Sequence, residues 1–352
     1  MAEGAQRNRI VLLLCGGLAV LVAACYFISH TFSALLTSLV LAYLLNPLLK
    51  YLERRGFDRL TALGLLYGIG ALAAFFSSFV LIPYFGHQFE AFGKALPVYL
   101  QTIQGWMATW KGELAGYYGG EEGIWLIDRF EETVADSKAA LSNLGYGQLK
   151  KLFFAAFNLI LAPILVFFML LYKQHAKDFI RRMFHHRERQ YLLELGRKIN
   201  NSLERFLVGM CCDCLLVGLL TAIALALIGV EFPILNGLFA GFASIVPFLG
   251  VLVAMIPPAL IGYAQTGDIW LIPKVAAAYF VINVIIEGNL IKPLVMKHTL
   301  RLNPLAVIFA VMAMGELLGF WGIVLAIPAA AVIKICTAEM REILHIEDQA
   351  AE

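Results

Sequence analysis

Charge is scarce in this sequence: Asp, Glu, Lys and Arg together make up 15% of its 352 residues, and hydrophobic residues 61%. A soluble domain carries about 25% charge, so the chain is read as a membrane protein. Its formal net charge of +2 is too small to hold a polyanion. It also has no basic stripe interleaved with exposed aromatics, which sets nucleic acid aside as a partner. HExxH, GxSxG, a P-loop and a nucleotide-binding glycine fingerprint are all missing, which disfavours an enzyme and an ATP-driven pump. The cysteines (Cys15, Cys25, Cys211, Cys212, Cys214 and Cys336) fall inside apolar runs rather than polar loops, so a disulfide framework is not expected. No histidine accompanies Cys211, Cys212 and Cys214, which are read as small packing residues around a lone acid. Neither a metal nor a cofactor is expected.

The abundant feature is the apolar run. Such stretches cover 10–29, 31–49, 61–84, 152–172, 206–230, 234–264, 269–286 and 305–335. Lipid offers the backbone no hydrogen-bond partner, and the runs are too long and uniform for barrel strands, so they are helices. The first follows Arg7 and Arg9 but has the length of a full span and no small-residue cleavage pattern, so it is read as a retained helix. The expected fold is an all-α polytopic integral membrane protein of about eight hydrophobic segments.

Loop charge orients these segments. Lys50, Arg54, Arg55 and Arg59 crowd one connection, and 173–205 carries nine Lys or Arg against four acids; both are expected in the cytoplasm, as are the termini. Residues 86–149 hold eight acids against four bases and are expected outside. There Phe92, Leu96, Leu100, Ile103, Met107 and Trp110 recur at helical spacing, as do Ile127, Phe130, Val134, Leu141 and Leu144. Two or three amphipathic surface helices are expected, interrupted by "GYYGGEEG" at 116–123. The organisation expected is therefore three transmembrane helices over 1–85, the external segment over 86–150, a fourth helix with a basic cytoplasmic helical loop over 151–205, a transport core over 206–337 and a cytoplasmic tail over 338–352.

Two stretches have the wrong length. Residues 234–264 and 305–335, as continuous helices, would each run roughly 46 Å against a hydrocarbon core of roughly 30 Å. Pro247 and Gly250 break the first; Gly315, Gly319 and Gly322 break the second. Helical hairpins that enter and leave on one side fit better than long tilted helices, and a hairpin also keeps Lys292, Lys297 and Arg301 on the cytoplasmic side.

Ionisable groups at membrane depth are costly unless paired or wetted, so the few present are the candidates. Asp213 is read either as a helix-packing acid or as part of a transport path. Glu287, Asn289, Lys292 and Pro293 follow an almost uninterrupted apolar run and read as the mouth of such a path: Pro293 ends the helix, Asn289 offers donor and acceptor, and Glu287 with Lys292 forms a charge pair. Glu316 stands at the break of a long apolar stretch, where acids beside unwound backbone bind cations or protons. Asn46-Pro47 and Asn303-Pro304 are expected to mark helix boundaries. Gly64 with Gly68, and Gly237 with Gly241, have the spacing that lets helices approach closely.

The stretches "LAYLLNPLLKYLERRG" at 41–56, "SIVPFLG" at 244–250 with "IPPALI" at 256–261, "EGNLIKPLVMKHTLRLNPLAVI" at 287–308 and "LLGFWGIVLAIPAAAVIK" at 317–334 resemble the successive signatures of the autoinducer-2 exporter-like family of bacterial permeases. The resemblance spans nearly the whole chain except the external segment. It implies an oligomeric inner-membrane transporter of a small polar solute or a monovalent cation or proton, with autoinducer-2 export and sodium/proton exchange among the family's activities. The acid at 316 departs from the family's pattern of small or apolar residues there. The competing reading is a membrane scaffold that recruits partners through its external helices.

Overall fold

The computed structural model describes residues 29–118, 161–173, 175, 178, 186–246, 249–291 and 303–351. Every regular element among them is helical: α1 (Ser29–Arg54), α2 (Arg59–Tyr118), α3 (Leu161–Leu171), α4 (His186–Ile228), α5 (Pro233–Ala243), α6 (Leu249–Thr266), α7 (Leu271–Phe280), its π-helical continuation (Val281–Ile291) and α8 (Pro304–Ala351). Six helical segments are long and apolar enough to cross a membrane. The apolar run 10–28, the stripe 127–144, Pro247, Lys292, Pro293, Lys297 and Arg301 lie outside the described residues.

α2 runs as one helix of 60 residues straight through Gly86, where the sequence suggests the start of a separate surface helix. Pro83 and Pro97 lie inside it. Each removes one backbone donor, yet the helix continues through Gly86, His87 and Gln88 to Tyr118, the rest of its backbone being bonded within the helix.

The chain divides into two compact units. One comprises Met1–Ile69, Asn158–Asp213 and Ile291–Glu352; the other comprises Gly70–Phe157 and Cys214–Leu290. In the first, α1 is the hub. Leu49 packs with Ala62 and Leu63 of α2 and with Val166 and Leu170 of α3. Val40 packs with Phe206 and Leu207 of α4, against Trp321 and Leu325 of α8. In lipid this contact is driven by close packing and by hydrogen bonds rather than by release of water. Such bonds include that of the Trp321 indole to Ser33 Oγ at 3.1 Å and the contact of the buried Ser38 hydroxyl with Ala162 O at 3.3 Å.

Asn46-Pro47 does not end a helix, contrary to expectation. Pro47 lies inside α1, and Asn46, 3% exposed, turns its side chain to tertiary partners rather than to freed backbone. Its Nδ2 donates to Glu204 Oε2 at 2.7 Å, and its Oδ1 accepts from Lys173 Nζ at 3.2 Å. Lys50 completes the knot by donating to Glu204 Oε1 at 2.7 Å. A proline is tolerated inside a membrane helix when neighbouring helices hold that helix in place, and here α4 and the end of α3 do so. Asn46→Leu is expected to strand the amide's partners and to destabilise the fold by about 1–3 kcal/mol, seen as a lower unfolding midpoint in detergent. An unchanged midpoint would show that the knot is dispensable. Asn303-Pro304, by contrast, does begin a helix: Asn303 Oδ1 accepts from the Leu305 N–H at 3.1 Å, with Pro304 at the first helical position.

In both units the chain reverses where the two overlong stretches are broken. α5 and α6 run antiparallel. At one end the Glu231 N–H donates to Gln265 Oε1 at 2.9 Å; at the other, a methyl on Gly250 would stand 1.8 Å from Ala243 O. α5, with 11 residues, covers only about 16 Å and cannot cross a hydrocarbon core of about 30 Å. α8 folds back at Gly319, whose φ of 59° and ψ of −137° suit glycine alone. Beyond the turn, a methyl on Gly322 would stand 1.7 Å from Met314 O, and one on Gly315 would stand 3.2 Å from Ile323 Cγ1. Each reversal thus places a glycine of the returning arm directly on a carbonyl of the outgoing arm.

The base of the α5–α6 hairpin is also where α2 packs. Tyr99 donates to the Glu231 carboxylate, and Phe92 meets Phe232 edge-to-face at 5.5 Å. Phe232 holds a left-handed backbone, φ 55° and ψ 45°, a strained conformation for a bulky residue. The Asn236 side chain secures it by donating to Phe232 O at 3.0 Å.

Candidate functional site

α7 and its continuation carry one buried face: Leu271, Val275, Tyr279, Ile282, Glu287 and Ile291. The first steps are those of an α-helix. The step from Ile282 to Glu287 is five residues, which a stretch bonded i to i+5 allows. Continued as α, the helix would bring Ile285 and Ile286 inward and turn Glu287 away. The π-helical stretch therefore places the carboxylate on the buried face of an apolar span, at 3% exposure. Such stretches recur at functional sites, and an acid at such depth is a functional candidate by default.

Two asparagines attend to the widened turns. Asn283 Nδ2 donates to Tyr279 O at 2.8 Å. Asn289 Nδ2 donates to Val284 O at 3.0 Å and Ile285 O at 3.2 Å. Asn289 is exposed whereas Glu287 is buried, so the two residues taken together from sequence lie on different faces. Asn283, four residues before Glu287, escaped the sequence reading, although i, i+4 spacing from an intramembrane acid is a usable signal.

Tyr279 fixes this helix to α6. Pro258, fully buried, has no N–H to give to Ala254 O four residues earlier. The hydroxyl of Tyr279, a residue 1% exposed, donates to that carbonyl at 2.9 Å. Tyr279→Phe is expected to leave a buried carbonyl without a donor, at a cost of about 1–3 kcal/mol. In a Pro258→Ala background the restored backbone N–H takes over and the loss shrinks. Thermal unfolding of the four proteins of this double-mutant cycle measures the coupling, and strictly additive losses would refute it.

α4 supplies the second buried acid. Asp213, 3% exposed, lies on the face that also buries Phe206, Val217, Thr221 and Leu225. The following turns of α4 meet α5 through small residues. A methyl on Gly237 would stand 2.5 Å from Gly218 O, and one on Gly241 would stand 2.4 Å from Cys214 O. Gly218 and Ala222 are thus the counterpart stripe to Gly237 and Gly241, recognisable as further small residues at a spacing of four. Gly64 and Gly68 differ: nothing lies within 4 Å of a methyl at either, so among the described residues this spacing seats no other helix.

Glu316 is exposed and stands just before Gly319 at the second reversal, beside non-helical backbone but not enclosed by it. Nothing in the sequence joins Asn46 to Glu204 and Lys173, which hold it: no spacing links α1 to residues so distant along the chain.

A family model described as "AI-2E family transporter" matches residues 16–342. The chain is 27% identical over 319 residues to PerM of Escherichia coli (strain K12), covering 88% of this chain and 87% of PerM. It is 26% identical over 328 residues to the AI-2 transport protein TqsA of Escherichia coli (strain K12), covering 93% and 91%. It is 23% identical over 315 residues to YrrI of Bacillus subtilis (strain 168), covering 88% and 86%.

Proposed function

Because the chain belongs to the AI-2E transporter family, we propose that this multi-pass membrane transporter carries a small polar solute or a monovalent cation across the bacterial inner membrane, with the Glu287 carboxylate as the group that takes up and gives back a cation or proton. The observation that carries this reading is Glu287 itself: a carboxylate 3% exposed on a π-helical stretch of an otherwise apolar span. Such a group is costly in an apolar setting unless it is neutralised. A proton neutralises it in one half of a cycle and a cation in the other, and that exchange is a means of coupling. Autoinducer-2 is a candidate cargo because the relative TqsA bears it in its name; sodium exchanged for protons is the ionic counterpart. Both termini on the cytoplasmic side and assembly of several copies belong to the same proposal.

The test is flux. Purified protein in liposomes, loaded in turn with sodium, a proton gradient and autoinducer-2, is expected to move one of them faster than protein-free liposomes do. Absence of flux with all three would remove these cargoes, and flux indifferent to pH would remove the proton from the cycle.

A further inference from the structure

At the corner between α1 and α2 the acids are already engaged, and two arginines form no ion pair among the described residues. Glu53 accepts from Arg59 at 3.1 Å. Asp58 caps α2, accepting from the Thr61 hydroxyl at 2.5 Å and the Thr61 N–H at 3.2 Å, bonds that hold its carboxyl below the usual carboxylate range. Glu204 accepts from Lys50. Arg54 and Arg55 are exposed, and neither forms an ion pair among the described residues.

Arg55 is also held in position. Its guanidinium lies 5.1 Å from the Tyr51 ring centroid and donates to the Tyr51 hydroxyl at 2.6 Å. This fixes the planar fork while sparing further N–H donors. On the same face of α1, the exposed Leu41, Leu48 and Tyr51 lead up to it at i, i+7 and i+10, with Arg55 at i+14. From Leu41 to Arg55 is roughly 21 Å along the helix, about the depth of one leaflet with its headgroups (half of ~40–45 Å). An apolar stripe of leaflet length that ends in a pre-positioned guanidinium with no ion pair among the described residues has the dimensions and charge order of a phospholipid.

We propose that the α1–α2 corner binds an anionic phospholipid, with an acyl chain along Leu41, Leu48 and Tyr51, the headgroup phosphate on the Arg55 guanidinium, and the exposed Arg54 adding positive charge beside it. Paired donors to one phosphate suit guanidinium geometry, and basic residues at this depth attract anionic headgroups. The proposal stands apart from transport, and its readout is stability rather than flux.

The experiment uses the full chain in a neutral detergent, titrated with phosphatidylglycerol, with phosphatidylcholine and with inorganic phosphate, following the unfolding midpoint. Phosphatidylglycerol is expected to raise the midpoint, more at low than at high salt. Arg55→Gln is expected to raise its half-saturating mole fraction about five-fold, the equivalent of about 1 kcal/mol per basic residue at the surface. Arg55→Lys, which keeps the charge but not the fork, should fall between. An equal rise with phosphatidylcholine, the same rise with inorganic phosphate alone, or an unchanged titration of Arg55→Gln would each overturn the site. Should Arg55→Gln not fold, the contrast between the two lipids and its salt dependence in the parent protein decide the matter.

Discussion

Glu287→Gln is expected to be made, inserted and folded much as the parent protein is, yet to lose its flux by at least about ten-fold, equivalent to about 1.4 kcal/mol, along with the pH dependence of what remains. The amide keeps the size of the side chain and most of its hydrogen bonding, and removes only the group that can carry a charge or a proton. The buried face of α7 and its continuation should therefore survive the change while the exchange of partners does not. Glu90→Gln is the control. That acid is exposed and pairs with Lys94 at 2.6 Å one helical turn away, an interaction that contributes about 0.5 kcal/mol or less, so flux there should be unaltered. A well-folded Glu287→Gln protein with normal flux and an unchanged pH profile would take this residue out of the cycle and move attention to Asp213.

The second large effect concerns architecture. Gly250→Ala and Gly322→Ala each put a methyl where no atom fits, 1.8 Å from Ala243 O and 1.7 Å from Met314 O. The neighbour in each case is backbone at a reversal and cannot swing aside as a side chain would. Each change is expected to cost at or above the upper end of the ~1–3 kcal/mol typical of overpacking, lowering both the yield of folded protein and its unfolding midpoint. Gly64→Ala is the opposite case, with nothing among the described residues within 4 Å of the added methyl, and is expected to be neutral or stabilising by up to about 1 kcal/mol. If all three behaved alike, the close approach of the hairpin arms would be wrong.

The hairpins could be read from sequence because they follow from a mismatch of length: two apolar stretches too long for one crossing, each with its breakers near the middle. Gly250 and Gly322 were read as turn residues, and the structure gives them a narrower task, contact with the opposite arm just beyond the turn. Asn303-Pro304 was legible because capping is local chemistry. Asn46-Pro47 looks the same over two residues and behaves differently, because the outcome depends on Glu204 and Lys173, remote in sequence. The same limit hid Tyr279. A tyrosine hydroxyl that replaces a proline's missing N–H is a relation between two helices, and periodicity within either helix does not reveal it. Glu287 was legible as an acid at the end of an apolar run, but the five-residue step that turns it inward belongs to backbone hydrogen bonding, which no residue type in the stretch announces.

The unbroken course of α2 has a mechanical consequence. Its 60 residues amount to roughly 90 Å of helix, about twice a whole bilayer with its headgroups, so the rod cannot be hidden in lipid along its full length. Prolines are where helices bend, and Pro83 lies well short of the far end at Tyr118. A change of only ~10° at Pro83 would sweep Tyr118, some 52 Å further along, through roughly 9 Å. A rod of this kind has the proportions of a lever, and because Phe92 and Tyr99 fasten it beyond Pro83 to the base of the α5–α6 hairpin, any such tilt would have to carry the hairpin with it.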